Sequence, residues 1–136
     1  MMFLSNFGGA SMNIHKSSED YLERIMMLRE EKAYVRSVDI AIALSVTKPS
    51  VSYAMKQLRE SGYITMDDDN YIFLTVAGEK IAKQIYHRHR VLTSFLKSLG
   101  VEDNIAREDA CKVEHDLSEE SFAAICNHMN EQSSPV

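Results

Sequence analysis

Two short helical patterns with a tight turn between them, followed directly by two β-prone runs, constrain the fold of this chain most strongly. Ser37 is expected to cap the first helix and Thr47 the second, because short hydroxyl side chains accept hydrogen bonds from the first backbone amides of a helix. Tyr63–Met66 and Tyr71–Leu74 flank the turn-rich segment Asp67–Asn70, which predicts a β-hairpin. A helix-turn-helix followed by a hairpin is a winged helix.

Helical patterns fill the rest of the sequence. Apolar residues at helical spacing and hydroxyl caps predict four more helices: one after Ser17 or Ser18, one from Thr75 to about Leu99, one from about Ile105 to Asp116 and one from Ser118 to about Met129. Five Gly and two Pro in 136 residues leave few turns for an all-β chain. The predicted fold is mainly α, with an N-terminal winged helix-turn-helix, a small β-hairpin wing and then an all-helical domain. The expected parts are a flexible leader (1–16), a DNA-binding domain (17–75) and a helical domain (76–136).

Composition excludes several classes of protein. The sequence is 45% hydrophobic and 26% charged, which is typical of a folded globular chain. No apolar run approaches the roughly 18 residues of a membrane span, so no membrane partner is expected. Two cysteines are too few for a disulfide framework, and together with a leader that makes a poor signal peptide they favour the cytoplasm. Met12 offers an alternative start.

A basic segment lies inside an acidic chain. The net charge is −5, which disfavours a nucleic-acid binder held by bulk charge alone. Between Arg36 and Arg59, however, four basic residues stand against Asp39 alone, a local charge of +3. The second helix of a helix-turn-helix places its N-terminal residues against base edges of double-stranded DNA. The expected DNA-binding residues are Arg36, Thr47, Lys48, Pro49, Ser50, Ser52, Tyr53 and Lys56.

Two alternatives accompany this interpretation. A winged helix can instead contact only proteins. The second helix of the predicted helix-turn-helix disfavours this alternative, because its exposed face has no apolar residue left for a protein partner. The acids Asp67–Asp69 at the wing tip would repel phosphates, so a solvated turn is expected there rather than a DNA contact.

Metal-ligating residue types recur at helical spacing. Cys111, Glu114 and His115 stand at positions i, i+3 and i+4, which share one helix face and offer S, O and N donors to one metal ion. The alternative is a buried cysteine beside a surface Glu-His pair. Asp20 and Glu23 also share a face, or they form a solvated acidic first turn. A histidine such as His89, near an apolar face, is often only a core residue.

The chain resembles the metal-dependent repressors of the diphtheria toxin repressor family, especially the two-domain manganese-transport-regulator branch. The resemblance spans about Ser17 to Met129. It rests on five matching segments: Ser18–Glu23, Thr47–Leu58, Leu74–Gly78, Tyr86–His89 and Asp109–His115.

This resemblance implies a metal site shared by the two domains. Asp20, Glu23, His89, Glu114 and His115 match ligand positions of the manganese branch. Cys111 departs from that branch, which has a bridging Glu there, and agrees with the iron-responsive branch. The hybrid donor set favours Mn²⁺, then Fe²⁺, with Zn²⁺ or Co²⁺ as further candidates, and one or two ions per subunit both remain open.

The resulting expectation is a metal-activated transcriptional repressor, not an enzyme, that controls manganese or iron uptake genes. The last three helices offer more apolar face than one small half can bury, which predicts a homodimer on a palindromic operator and makes this half a dimerisation domain. Cys126 is expected in the dimer core with Phe122 and Ile125. The alternative function is a winged-helix regulator that senses iron, zinc or thiol redox state instead of manganese.

Overall fold

The structure is a computed structural model that describes residues 16–133. The alternative start at Met12, and all of the expected leader except Lys16, lie outside the described residues. The elements in chain order are α1 (Lys16–Glu31), α2 (Ser37–Leu44), α3 (Lys48–Glu60), β1 (Ile64–Met66), β2 (Ile72–Leu74), α4 (Val76–Ser98), α5 (Asp103–Val113) and α6 (Glu119–Ser133). The predicted fold class is confirmed by this order of elements.

The helix-turn-helix is formed by α2 and α3. Ser45 ends α2 in the left-handed region (φ 55°), and its backbone N–H donates back to carbonyls of the last helical turn. Thr47 caps α3 as expected, because its hydroxyl oxygen accepts the Ser50 N–H at 3.2 Å. The turn between the helices is therefore closed by local hydrogen bonds on both sides.

The expected cap of α2 is wrong. Ser37 is already helical, and Arg36 occupies the N-cap position. The Asp39 carboxylate, at the third helical position, accepts the backbone N–H of the N-cap residue Arg36 at 2.9 Å, as the acidic residue of a capping box does. The Asp39 carboxylate also places negative charge in the first turn of the helix, where it interacts favourably with the helix dipole.

The wing is a two-stranded antiparallel hairpin. Thr65 pairs with Phe73 at the centre of the ladder. The Asp67 carboxylate accepts the backbone N–H groups of Asp69 and Tyr71, each at 2.9 Å, and Asn70 takes a left-handed conformation (φ 65°). Side-chain hydrogen bonds therefore set this turn.

Contacts divide the chain into two compact units, one ending at Lys83 and one beginning at Gln84 within α4. The first unit buries the apolar stripes of α1, α2 and α3 together with one residue from each strand. Its most buried large side chains are Leu22, Ile25, Val35, Ile40, Val51, Met55 and Ile64. The boundary expected between residues 75 and 76 stays a prediction.

A glycine lets the start of α4 lie directly against the hairpin. A Cβ on Gly78 would stand 2.0 Å from the Tyr63 carbonyl oxygen. Thr75 donates its backbone N–H to that same oxygen at 3.0 Å and its hydroxyl to the Gly62 oxygen at 2.7 Å. The close approach of the two backbones requires a residue without a side chain.

The second unit combines the later part of α4 with α5 and α6. Its core is built from Ile85 and Leu92 of α4 and from Ala106 and Ala110 of α5, which are fully buried. Gly100 (φ 99°) ends α4, and Ser118 accepts the Ser121 N–H at 3.0 Å to cap α6, both as expected.

Candidate metal centre and DNA-binding surface

The exposed face of α3 carries the expected DNA-reading residues. Val51, Met55 and Leu58 turn one stripe of the helix into the core. The opposite face is exposed, with Tyr53 67% accessible. The exposed residues there are Lys48, Pro49, Ser50, Ser52, Tyr53 and Lys56. This face offers two amines, short hydroxyls and one aromatic ring, which suit phosphate and base-edge contacts.

Arg36 is held beside the wing by aromatic rings. Its guanidinium carbon lies 4.5 Å from the centroid of the Tyr71 ring, and Tyr71 stacks on Tyr34 at 4.7 Å. The Ile72 N–H donates to the Val35 oxygen at 2.7 Å and fixes this segment to β2. The role of these two tyrosines was not predicted from the sequence, because no local pattern shows that residues 34 and 71 meet.

The second unit brings several predicted metal ligands together. Three ligand atoms, one each from His89, Cys111 and Glu114, lie within 4.8 Å of one another. His89 Nδ1 lies 3.0 Å from Glu114 Oε1, although the two residues are 25 positions apart. The Glu114 side chain is fully buried and His89 is 9% exposed. A carboxylate so far from water needs strong compensating partners.

The other carboxylate oxygen of Glu114 faces a second imidazole. His115 Nε2 lies 3.3 Å from Glu114 Oε2. Local structure explains the grouping, since Cys111 lies in the last turn of α5 and Glu114 is its C-cap residue. Cys111 and Glu114 therefore keep the helical i, i+3 relation, although Glu114 lies one residue beyond the end of α5.

The remaining predicted ligands belong to the unit that ends at Lys83. Asp20 and Glu23 lie on α1 at i, i+3 spacing, with Asp20 half-buried and Glu23 3% exposed. A buried glutamate on this helix does not fit the alternative of a fully solvated acidic turn. Sharing of one ion between the two units stays a prediction.

The donor set fits a divalent transition metal. Imidazole suits several such ions, a carboxylate suits Mn²⁺ and other hard ions, and a thiolate suits softer ones. His89, Cys111 and Glu114 supply one donor of each type, and Glu114 is shielded from solvent. The cluster therefore has the chemistry of a metal site.

Arg88 is a neighbour of this cluster that sequence analysis missed. Its Nη1 donates to the backbone oxygens of Glu114 at 3.1 Å and Leu117 at 2.5 Å. Its position next to His89 in the sequence is only a weak indication of this contact, because arginines are common on helix surfaces.

Two family models together match nearly the whole described chain. One is the N-terminal DNA-binding domain of iron-dependent repressors, at residues 13–70, and the other is their metal-binding and dimerisation domain, at residues 75–134. The HTH-type transcriptional regulator MntR of Shouchella clausii is 43% identical over 102 residues, which are 75% of this chain and 71% of that protein. The chain belongs to the iron-dependent repressor family.

Other relatives agree with this membership. The transcriptional regulator MntR of Escherichia coli O6:H1 is 42% identical over 106 residues, covering 78% of this chain and 68% of that protein. The manganese regulator SloR has a similar structure, with a TM-score of 0.74, 29% identity and coverage of 83% of this chain and 53% of its own. A manganese-dependent transcriptional repressor in complex with manganese gives a TM-score of 0.78, 26% identity, and coverage of 83% and 52%. The chain spans about half the length of these two structures.

Family membership determines the general function. An iron-dependent repressor family member with both matched domains is a metal-dependent, DNA-binding transcriptional repressor rather than an enzyme. Its partners are DNA and a second copy of the chain, and it requires a divalent metal. Across residues 16–133, none of the helices combines the length and apolar character needed to cross a membrane.

Proposed function

We propose that this repressor is activated by manganese and controls metal-uptake genes. The observation that carries the proposal is the convergence of His89, Cys111 and Glu114 in the second unit. The proposed ligands are Asp20, Glu23, His89, Cys111, Glu114 and His115. Residues 17–75 would form the DNA-binding domain and residues 76–136 the metal-binding and dimerisation domain, in the cytoplasm, where the thiols of Cys111 and Cys126 stay reduced.

The preference for manganese rests on the balance of ligand types. Asp20, Glu23 and Glu114 supply three carboxylates, which favour hard ions, whereas Cys111 alone favours softer ions. The two MntR relatives and the two manganese-regulator structures support the same choice. Fe²⁺ is the next candidate, and Zn²⁺ or Co²⁺ would bind if the thiolate dominated.

Activation follows from ligands contributed by both domains. A bound divalent ion supplies positive charge that holds several carboxylates in one place. Asp20 and Glu23 belong to the DNA-binding part, while Glu114 and His115 belong to the dimerisation part. Ligation by both sets would favour one relative arrangement of the two parts, which shifts the population toward the form that fits the operator.

The DNA contacts divide by chemistry. Lys48 and Lys56 would neutralise phosphates, while Ser50, Ser52 and Tyr53 lie where a recognition helix meets base edges. Thr47 and Pro49 set the start of that helix. In a two-fold dimer the two α3 helices would read equivalent half-sites, so we propose a palindromic operator.

Calorimetry of the metal-free protein tests the ligand set. We expect saturable Mn²⁺ binding that Asp20→Ala weakens about 10-fold or more, since losing even an outer-shell partner costs roughly 10- to 100-fold. Asp68→Ala, an exposed acid of the wing in the same domain, is the matched control and should leave the affinity unchanged. Binding indifferent to Asp20 would contradict an ion shared between the domains.

If the mechanism holds, bound Mn²⁺ must increase the affinity for operator DNA, and bound operator DNA must increase the affinity for Mn²⁺. The factor by which Mn²⁺ tightens operator binding must equal the factor by which operator DNA tightens Mn²⁺ binding. Equal Mn²⁺ affinity with and without operator would overturn activation by manganese. Titrations with Fe²⁺ under anaerobic conditions and with Zn²⁺ rank the competing ions.

The half-buried Cys111 thiol in the cluster favours a second candidate, a redox-sensing regulator. Cys111→Ser separates the two functions. Loss of a peroxide response with retention of the metal response would support redox sensing. Loss of metal binding alone would support Cys111 as a ligand.

A further inference from the structure

The segment that joins α5 to α6 carries two of the proposed metal ligands and is held by one arginine. Arg88 of α4 donates from Nη1 to the Glu114 oxygen at 3.1 Å and to the Leu117 oxygen at 2.5 Å. Its guanidinium carbon also lies 5.0 Å from the centroid of the Phe122 ring in α6. One side chain thus contacts both ends of the connection from residue 114 to residue 118.

Helix-end chemistry explains why an arginine suits this position. The last carbonyls of α5 have no partner inside the helix, and the helix C-terminus carries partial negative charge. The fully buried Glu114 side chain adds a carboxylate at that same end. A positive charge bound to the carbonyl of Glu114, the C-cap residue, offsets both effects, and charge-assisted hydrogen bonds are stronger than neutral ones.

The two accepting carbonyls lie on either side of His115. Because Glu114 and Leu117 are fixed through their backbone oxygens, the backbone between them has little freedom to rotate. The side-chain directions of Glu114 and His115 follow from that backbone. Arg88 also directly precedes His89 in α4. Its hydrogen bonds therefore connect the backbone that carries His89 to the backbone that carries Glu114 and His115.

We propose that Arg88 is a positioning residue for metal binding. It acts through the backbone that orients Glu114 and His115, because its hydrogen bonds go to the backbone oxygens of Glu114 and Leu117. This inference rests on the proposed function, since it concerns the same metal centre. The ligand residues are then not sufficient for tight metal binding. The connection between α5 and α6 must also be held by Arg88 of α4.

The test compares three variants of the 136-residue chain. Arg88→Met removes the donors and the charge but keeps much of the apolar stem. Arg88→Lys keeps the charge on a single flexible nitrogen and serves as the conservative variant. Arg90→Met is the matched control, because Arg90 lies two residues away in α4, is exposed, and stacks on Tyr86 at 4.7 Å.

Mn²⁺ affinity by competition with a fluorescent chelator is the first readout. We expect Arg88→Met to weaken the affinity about 10- to 100-fold, as loss of outer-shell partners does, and Arg88→Lys to recover part of it. Arg90→Met should bind like the wild type. Thermal unfolding of the metal-free variants, measured separately, shows how far each change affects the fold itself, and if Arg88→Met does not fold, Arg88→Lys decides the outcome.

Bound Co²⁺ provides a readout that a purely structural role would not move. Its visible absorption bands report coordination geometry, so Arg88→Met should change them while Arg90→Met should not. Wild-type affinity and an unchanged Co²⁺ spectrum in the folded Arg88→Met protein would overturn the inference alone. If only Arg88→Lys folds, the same result in that variant would overturn it. A wild-type chain that binds no divalent ion would overturn the proposed function and this inference with it.

Discussion

Gly78 lies inside α4 although glycine has a low helix propensity. Alanine is normally preferred to glycine inside a helix by about 1 kcal/mol. Here a Cβ would lie 2.0 Å from the Tyr63 carbonyl oxygen, which is backbone and cannot swing aside. The hydrogen bonds from Thr75 to Tyr63 and Gly62 depend on the same approach.

Gly78→Ala is therefore expected to destabilise the protein. Forcing atoms into a filled space costs about 1–3 kcal/mol, which outweighs the gain in helix propensity. Urea unfolding of the metal-free protein measures the loss, with exposed Lys80→Ala in the same helix as the control. A more stable Gly78→Ala protein would show that the hairpin and α4 can separate without cost.

At the scale of elements, the sequence predicted helices and strands better than their ends. All six helices and both strands that the structure describes in residues 16–133 were expected in this order, and the caps Thr47, Thr75 and Ser118 are confirmed by their hydrogen bonds. The predicted start of α2 was wrong by one residue, because Ser37 is already helical and Arg36, whose backbone N–H donates to Asp39, occupies the N-cap position. Local rules give several residues that can cap a helix, and contacts such as the Lys32–Asp39 ion pair select among them.

That ion pair makes the N-terminus of α2 sensitive to acid. Lys32 Nζ lies 2.6 Å from Asp39, and this hydrogen bond is the main reason that the pKa of Asp39 is lowered from its ordinary value of 3.8. A carboxyl whose pKa is lower in the folded chain contributes stability above its ordinary pKa. That contribution is lost as the pH falls through the folded value.

Lys32→Met should therefore lower the thermal midpoint near neutral pH and have less effect as the pH falls below 3.8. Thermal unfolding of both proteins across this range gives the comparison, with exposed Lys80→Met as the control. The pair is largely solvent-accessible at the lysine, so the difference near neutral pH should be small, about 1 kcal/mol or less. A difference that grew on acidification would contradict the assignment.

At the scale of the whole molecule, DNA binding must overcome a net charge of −5. The protein therefore depends on a few well-placed cations rather than on its overall charge. Each lysine that neutralises a phosphate releases counterions, and a dimer presents each lysine twice.

Lys48→Ala should flatten the salt dependence of operator binding. The slope of log K against log salt should fall by about 1 per phosphate contact, and so by about 2 for the dimer. Exposed Lys97→Ala in the dimerisation domain is the control and should leave the slope unchanged. An unchanged slope for Lys48→Ala would remove Lys48 from the DNA interface.

The sequence by itself determined the architecture, and it predicted the residue types of the candidate metal site. Helical periodicity, hydroxyl caps and the Asp67–Asn70 turn act between near neighbours, so they can be recognised without knowledge of packing. The i, i+3 spacing of Cys111 and Glu114 belongs to the same kind of information, and so does that of Asp20 and Glu23.

Only the tertiary structure decided which distant residues meet. His89 and Glu114 are 25 positions apart and 3.0 Å from each other, and Arg88 reaches carbonyls of Glu114 and Leu117 that no motif marks. Tyr63 and Gly78 likewise meet only because α4 packs against the hairpin. Such contacts depend on how helices pack, and packing is set by the shapes of many side chains together rather than by any local pattern.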